Sequence, residues 1–325
     1  MTKTIKIVMQ QYLDNVYLAR SENTARTYRN AMNAFSWILD ENNLPPDKTK
    51  IGELPEIAVA WMASALKVYS PATERLYLTA AAGFYEYISA EKLASPNLPR
   101  VRMLIRQRAR RYGQRLPQFP RDNIEIVITH AINLASTDSD SVNQHLRNLR
   151  DRAFLLTLAD TGLRVHEICA LRRGDIDWNE GRAVIIGKGD QQGVVRFSKR
   201  SMKAFRDYLT PRGKLDGASG RPLTALPLLA RHDRGAGKKV LPITTTTGRN
   251  IVTQRVREAL GEDAVGTITP HSFRHYFVTT VLRGSGGNLK LAQELARHKN
   301  IAVTQRYAHL SDEELDKGYW EIFDE

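Results

Sequence analysis

The sequence predicts a mainly α-helical chain of two domains, with one small β-sheet in the second. Three observations predict it. Apolar residues recur at helical spacing over most of the 325 positions. A single pair of β-branched runs, Arg182-Ala-Val-Ile-Ile-Gly187 and Val194-Val-Arg-Phe197, reads as a hairpin. Between two stretches that each carry a core pattern lies a run of eight arginines, Arg100 to Arg121, without a carboxylate.

The first helix is expected from Ile5 to Arg20, with Ile5, Val8, Met9, Tyr12, Leu13 and Val16 on one stripe. Ser21 and Asn23 interrupt it. A second helix runs from about Thr24 to Glu41 on Tyr28, Met32, Phe35, Ile38 and Leu39, and Leu44-Pro45-Pro46 stops it. A third spans Pro55 to Val68. Ser70-Pro71 supplies an N-cap with proline at the first helical position, and the fourth helix follows with Leu76, Leu78, Phe84, Tyr87 and Ile88. Pro96 and Pro99 close an all-α domain over residues 1–100. Thr24, Arg26, Arg29, Ser70, Thr73 and Arg75 lie near helix starts, where backbone N–H groups help to bind phosphate.

Residues 101–119 read as a linker. Arg102, Arg106, Arg108, Arg110, Arg111 and Arg115 concentrate there much of a net charge of +13, because the preceding domain carries acids and bases in equal number. Such a strap suits a path along a phosphate backbone, and the overall charge points to a polyanionic partner.

The second domain is expected over residues 120–325. Asp122 to Ala135 and Val142 to Ala159 read as helices. Gly162 ends the latter. Val165 to Leu171 is a short amphipathic piece that sets Arg164 and Glu167 on one face. The hairpin holds Lys188 at its turn. Arg200 to Leu209 is a helix, Pro211 to Pro242 reads as loops with short strands, and Thr247 to Leu260 is a helix. Pro270 opens another at Thr269-Pro-His271-Ser-Phe-Arg274-His275, which places His271 and Arg274 together at its start.

Several classes of function are excluded. Cys169 is the one cysteine, so neither an internal disulfide nor a thiolate-rich metal site forms, and a cytoplasmic location is natural. No apolar run approaches ~18 residues, and Met1 to Gln11 turns polar too soon for a signal peptide. Gly235-Ala-Gly-Lys-Lys239 lacks the spacing and hydroxyl of a nucleotide loop. His271 and His275 have the spacing of a zinc helix, but Ser272 stands where its glutamate would be.

The last stretch is the most informative. In Leu295-Ala-Arg-His298-Lys-Asn-Ile-Ala-Val-Thr-Gln-Arg-Tyr307, a histidine precedes a tyrosine by nine residues among Arg297, Lys299 and Arg306. A phenol titrates near ~10, so it serves as a nucleophile only where cations stabilise the attacked group.

Together, Gly162-Leu-Arg164-Val-His-Glu167, hairpin Lys188, His271-Ser-Phe-Arg274, His298 and Tyr307 resemble, in order, the tyrosine recombinases of the phage-integrase and Xer class. The resemblance covers nearly the whole chain. It implies an N-terminal all-α core-binding, SAM-like domain and a C-terminal α+β catalytic domain, closing as a clamp around DNA. It departs at Arg297, where the family usually has glycine, and in the long 211–242 insert.

The resemblance implies that Tyr307 attacks a scissile phosphate to give a 3′-phosphotyrosine. Arg164 and Arg274 then clamp the phosphate, Lys188 protonates the leaving 5′ oxygen, His271 acts as base or hydrogen-bond donor, His298 bonds a non-bridging oxygen, and Glu167 orients Arg164 or His271. No cofactor is expected, since the covalent link conserves the bond energy. The expected partners are duplex DNA with inverted half-sites and further copies of the chain, as a synaptic tetramer joined through the tail helix after Ser311. Two alternatives stay open: a type IB topoisomerase-like enzyme that relaxes DNA, and a DNA-binding regulator without catalysis.

Overall fold

A computed structural model of the protein describes residues 3–110, 120–186, 192–237, 239–298 and 300–305. The chain divides into two compact units, Met1–Arg115 and Leu116–Glu325.

The first unit is all helical. Helices α1 (Ile5–Ala19), α2 (Glu22–Glu41), α3 (Ala58–Ala65), α4 (Pro71–Ala90) and α5 (Leu98–Arg108) enclose one core around Phe35, Phe84 and Tyr85. The predicted stops are built as the sequence suggests. Ser21 Oγ accepts from the Thr24 N–H, and Ser70 Oγ accepts from the Thr73 N–H at 3.2 Å with Pro71 in the first turn. Leu76 is a correction: it is exposed, and Ala80, Ala81 and Tyr85 fill that part of the core.

The linker expectation also needs correcting. Residues 98–108 form α5, capped by Asn97 Oδ1 on the Arg100 N–H at 3.0 Å, and Val101 and Leu104 enter the first core. Two apolar residues three apart anchor a helix whose other faces are basic. Arg110 is not a free member of the basic run either. Its guanidinium and backbone N–H both donate to Glu74, whose side chain is 1% exposed and also binds Lys67 at 2.7 Å. Arg111 and Arg115 lie outside the described residues.

In the second unit, α7 (Val142–Thr161) is the central rod, buried almost throughout. It packs against α6 (Arg121–Asn133), α9 (Lys199–Gly217) and α11 (Pro270–Gly284). The short α8 (Val165–Ala170) follows α7, and α10 (Thr245–Leu260) packs on α6 and α8. The sheet is antiparallel in the order β1 (Ile176–Asp177), β2 (Arg182–Ile186), β3 (Gln192–Arg196), with Ala183 opposite Val195. Alternation puts Ala183, Ile185 and Val195 in the core and leaves Val184 and Ile186 exposed. The two-residue β1 is an addition to the expected hairpin.

Helix α9 runs on through Pro211 to Gly217, where the sequence predicts loop. The reason is a buried polar cluster. Arg212, fully buried, pairs with Asp216 at 2.9 Å and donates to the carbonyls of Leu228 and Pro227, both at 2.9 Å. Arg173 reaches the same carboxylate at 2.6 Å, and the Tyr208 hydroxyl meets His232 Nε2 at 2.7 Å. This cluster ties the 218–242 insert to α9. The last described elements are α12 (Leu289–Ala296) and α13 (Ile301–Gln305). Among the described residues, no helix is long and apolar enough to cross a membrane.

Candidate active site

The site begins at the end of α7. Gly162 stops the helix with φ +58°, and a Cβ there would lie 2.5 Å from Phe277 Cδ1 of α11. Only glycine takes both that left-handed turn and that close approach without strain. Bringing α11 so near lets Arg274, buried on its inner face, donate to the Gly162 carbonyl. The other arm of the guanidinium donates to the Ala296 carbonyl at the end of α12. Arg274 therefore staples α7, α11 and α12 together. A buried guanidinium needs such acceptors.

Two residues after Gly162 the chain turns into α8. Glu167 reaches back to the helix entry: its Oε2 accepts from the Arg164 backbone N–H and its Oε1 from Arg164 Nη1, both at 2.8 Å. The carboxylate satisfies a helix-end donor and orients the arginine in one arrangement. The Glu167 side chain is 1% exposed whereas that of Arg164 is 41% exposed, so the cation faces outward from a buried anchor. Burial alone would raise the Glu167 carboxyl. The Arg164 N–H bond, the charge of Arg297 and the Arg164 side chain outweigh it and hold the carboxyl below its ordinary range.

Helix α11 starts with the Thr269 N–H donating to Ser272 Oγ at 3.0 Å and Pro270 in its first turn. This start places His271 one turn ahead of His275, their rings 4.5 Å apart and nearly perpendicular. Burial, then the nearby charges of Arg274 and Arg164, lowers the His271 imidazolium, and burial pushes His275 down to about 4.

His298 follows α12. Gln293 pins its backbone from both sides: its carbonyl accepts from the His298 N–H at 3.0 Å, and its amide donates to the His298 carbonyl at 3.1 Å. His298 Nδ1 lies 2.9 Å from Oγ1 of the fully buried Thr304. Burial, followed by the fields of Arg274, Arg164, His271 and Arg297, pushes His298 down to about 4. Those four residues thus all lie near enough to His298 to act on its charge.

Of the seven catalytic candidates, Arg164, Glu167, His271, Arg274 and His298 converge from the α7–α8 corner, α11 and the α12–α13 connection. Lys188 and Tyr307 lie outside the described residues, as does the tail after Ser311. Two members of the site escaped the sequence reading. Thr304 bonds His298 across a turn that no local pattern announces. Arg297 was marked by its departure from glycine, but its reach to Glu167 was not foreseen. The DNA-binding candidates Arg26, Arg29, Arg75, Arg102, Arg106 and Arg108 are exposed on α2, α4 and α5, with Arg102 bonded to Glu86 at 2.7 Å.

A buried carboxylate, two arginines and three histidines of lowered basicity thus share one helical frame. A sequence model described as the phage integrase family matches residues 133–314. The chain belongs to that family, the tyrosine-type site-specific DNA recombinases. Tyrosine recombinase XerD of Mycobacterium tuberculosis is 29% identical over 315 residues, which cover 94% of this chain and 93% of that one. Tyrosine recombinase XerC of Pelobacter propionicus is 34% identical over 206 residues, 63% of this chain and 60% of that protein's length. The XerH site-specific recombinase, solved on its palindromic difH substrate after cleavage, shares the fold with a TM-score of 0.66 at 18% identity, over 93% of this chain and 80% of that one.

Proposed function

We propose that this protein exchanges DNA strands at inverted half-sites through a covalent bond to Tyr307. The convergence of Arg164, Arg274, Glu167, His271 and His298 carries the reading. A phosphodiester transition state concentrates charge on its non-bridging oxygens, and preorganised donors that meet this charge supply most of the catalysis. Arginine suits the task, because its planar fork binds two oxygens and stays charged.

Arg164 and Arg274 hold the non-bridging oxygens while the Tyr307 oxygen attacks phosphorus. The phenol's proton passes to His271, which is neutral and able to accept it. The bond from phosphorus to the 5′ oxygen breaks, and Lys188 protonates that oxygen. The free 5′-hydroxyl of a partner strand then attacks the 3′-phosphotyrosine and releases the phenol. His298 donates from Nε2 to a non-bridging oxygen, which requires Nδ1 to accept from the Thr304 hydroxyl. Glu167 keeps Arg164 aimed.

The working assembly is a tetramer on two duplexes, in which the segment 311–325 of each copy docks on a neighbour. The test uses inverted half-sites sought around a short spacer in the DNA that flanks the gene. Two duplexes carrying them should recombine in the presence of the full chain, whereas a chain ending at residue 310 should still cleave but should not pair the duplexes. Relaxation of supercoiled DNA without any site, and without exchange, would contradict this reading and favour a topoisomerase.

A further inference from the structure

We infer that Arg297 is a positioning residue of this recombinase: a second counter-ion for Glu167 that keeps the carboxylate neutralised when Arg164 also engages the phosphate. The inference rests on the recombinase reading above.

Four observations carry it. Arg297 Nη2 donates to Glu167 Oε2 at 3.2 Å, beside the Arg164 N–H that binds the same oxygen at 2.8 Å. Arg297 caps α12 with φ +55°, a left-handed conformation that costs an L-residue roughly 1–2 kcal/mol and glycine little. Its Nε and Nη1 are buried without a hydrogen-bond partner among the described residues, a further cost. The neighbouring strand is shaped to admit the side chain, for a Cβ on Gly193 of β3 would lie 2.7 Å from Arg297 Cδ. Backbone strain and unmet donors in one residue persist only where the surroundings enforce them, and such residues cluster at functional sites. Here the enforcing contact is Glu167.

The physical need is plain. Glu167 is almost fully buried, and Arg164 is its other cationic partner. When Arg164, still held by Glu167, also engages a phosphate, its charge is shared between two anions, and a buried carboxylate left short of counter-charge is strongly unfavourable. With Arg297 in place, Glu167 stays ionised whether or not a phosphate is bound. Arg297 itself is 14% exposed, which suits a residue that acts through Glu167 and not one that grips DNA.

The test compares Arg297→Gly, Glu167→Gln and the double variant. The readouts are melting temperature, DNA affinity and the rate of covalent adduct formation on a nicked duplex. Arg297→Gly should fold, since glycine accepts the backbone, and Arg297→Asn provides a second variant compatible with φ +55°. Both should bind DNA as the wild type does and form adduct about tenfold more slowly. In the Glu167→Gln background, Arg297→Gly should add nothing to the rate, and it should raise the melting temperature there by relief of the φ +55° strain, a gain that the lost Glu167 contact offsets in the wild-type background. Independent, multiplying effects would overturn the inference, as would a wild-type rate in Arg297→Gly or a loss of DNA affinity that accounts for the slower rate. The melting-temperature cycle reports the Glu167 coupling even if the wild type forms no adduct, an outcome that would sink the recombinase reading instead.

Discussion

At the scale of single residues, neutrality of the histidines is what the site builds. Burial first, and the nearby arginines second, disfavour the proton on His298, so in the proposed reaction the ring enters as a neutral donor. Its tautomer then matters, and Thr304 sets it. Replacing Thr304 by Val keeps the shape and removes the hydroxyl. Adduct formation should slow about tenfold, equivalent to ~1.4 kcal/mol, near the worth of one hydrogen bond, with DNA affinity unchanged. An unaltered rate would remove Thr304 from the mechanism. The same depressed histidines make stability depend on pH. His275 and His298 titrate at about 4 when folded, against an ordinary value of 6.5. Between those values the unfolded chain binds protons that the folded one refuses, so stability falls as pH drops through the window. Thermal melts should show the loss from pH 6.5 toward 4, and His275→Asn should make it shallower.

At the scale of elements, the sequence was most legible where periodic burial decides and least where buried charge does. The stripes of α1 and α2, the Ser21 and Ser70 caps and the Gly162 stop all appear near their predicted places, because each rests on local physics. Helix α9 escaped because Pro211 reads as a terminator, whereas the partners that carry the helix past it, Leu228, Pro227 and Arg173, are distant in sequence. Helix α5 escaped because its basic residues outnumber the two apolar anchors that fix it. The candidate site follows the same division. Arg164, Glu167, His271 and Arg274 were singled out by motif and spacing, but the Arg297–Glu167 and Thr304–His298 contacts exist only after α8, α11, α12 and α13 have packed. Pro211 offers a direct check. A proline inside a helix costs ~3 kcal/mol relative to alanine. Pro211→Ala should therefore raise the melting temperature, and a fall would mean that the helix requires the proline at this bend.

At the scale of the molecule, charge is the organising quantity. The net charge of +13 is carried in part by arginines with no acidic partner among the described residues, including Arg29, Arg75, Arg106 and Arg108. If Arg106 and Arg108 each neutralise one phosphate, the double Gln variant should lower the slope of log affinity against log salt by about 2, with little change in preference between sequences. An unchanged slope would place both side chains away from the DNA. In the proposed reaction charge brings the duplex to the chain, and the chemistry depends on the Tyr307 oxygen. The most direct measurement is mass spectrometry of the protein trapped on a nicked duplex carrying its site. A peptide containing Tyr307 with the 3′ nucleotide attached is the expected product, absent in Tyr307→Phe. An adduct at another residue, or none from a wild type that binds the site, would contradict the assignment of Tyr307 as nucleophile.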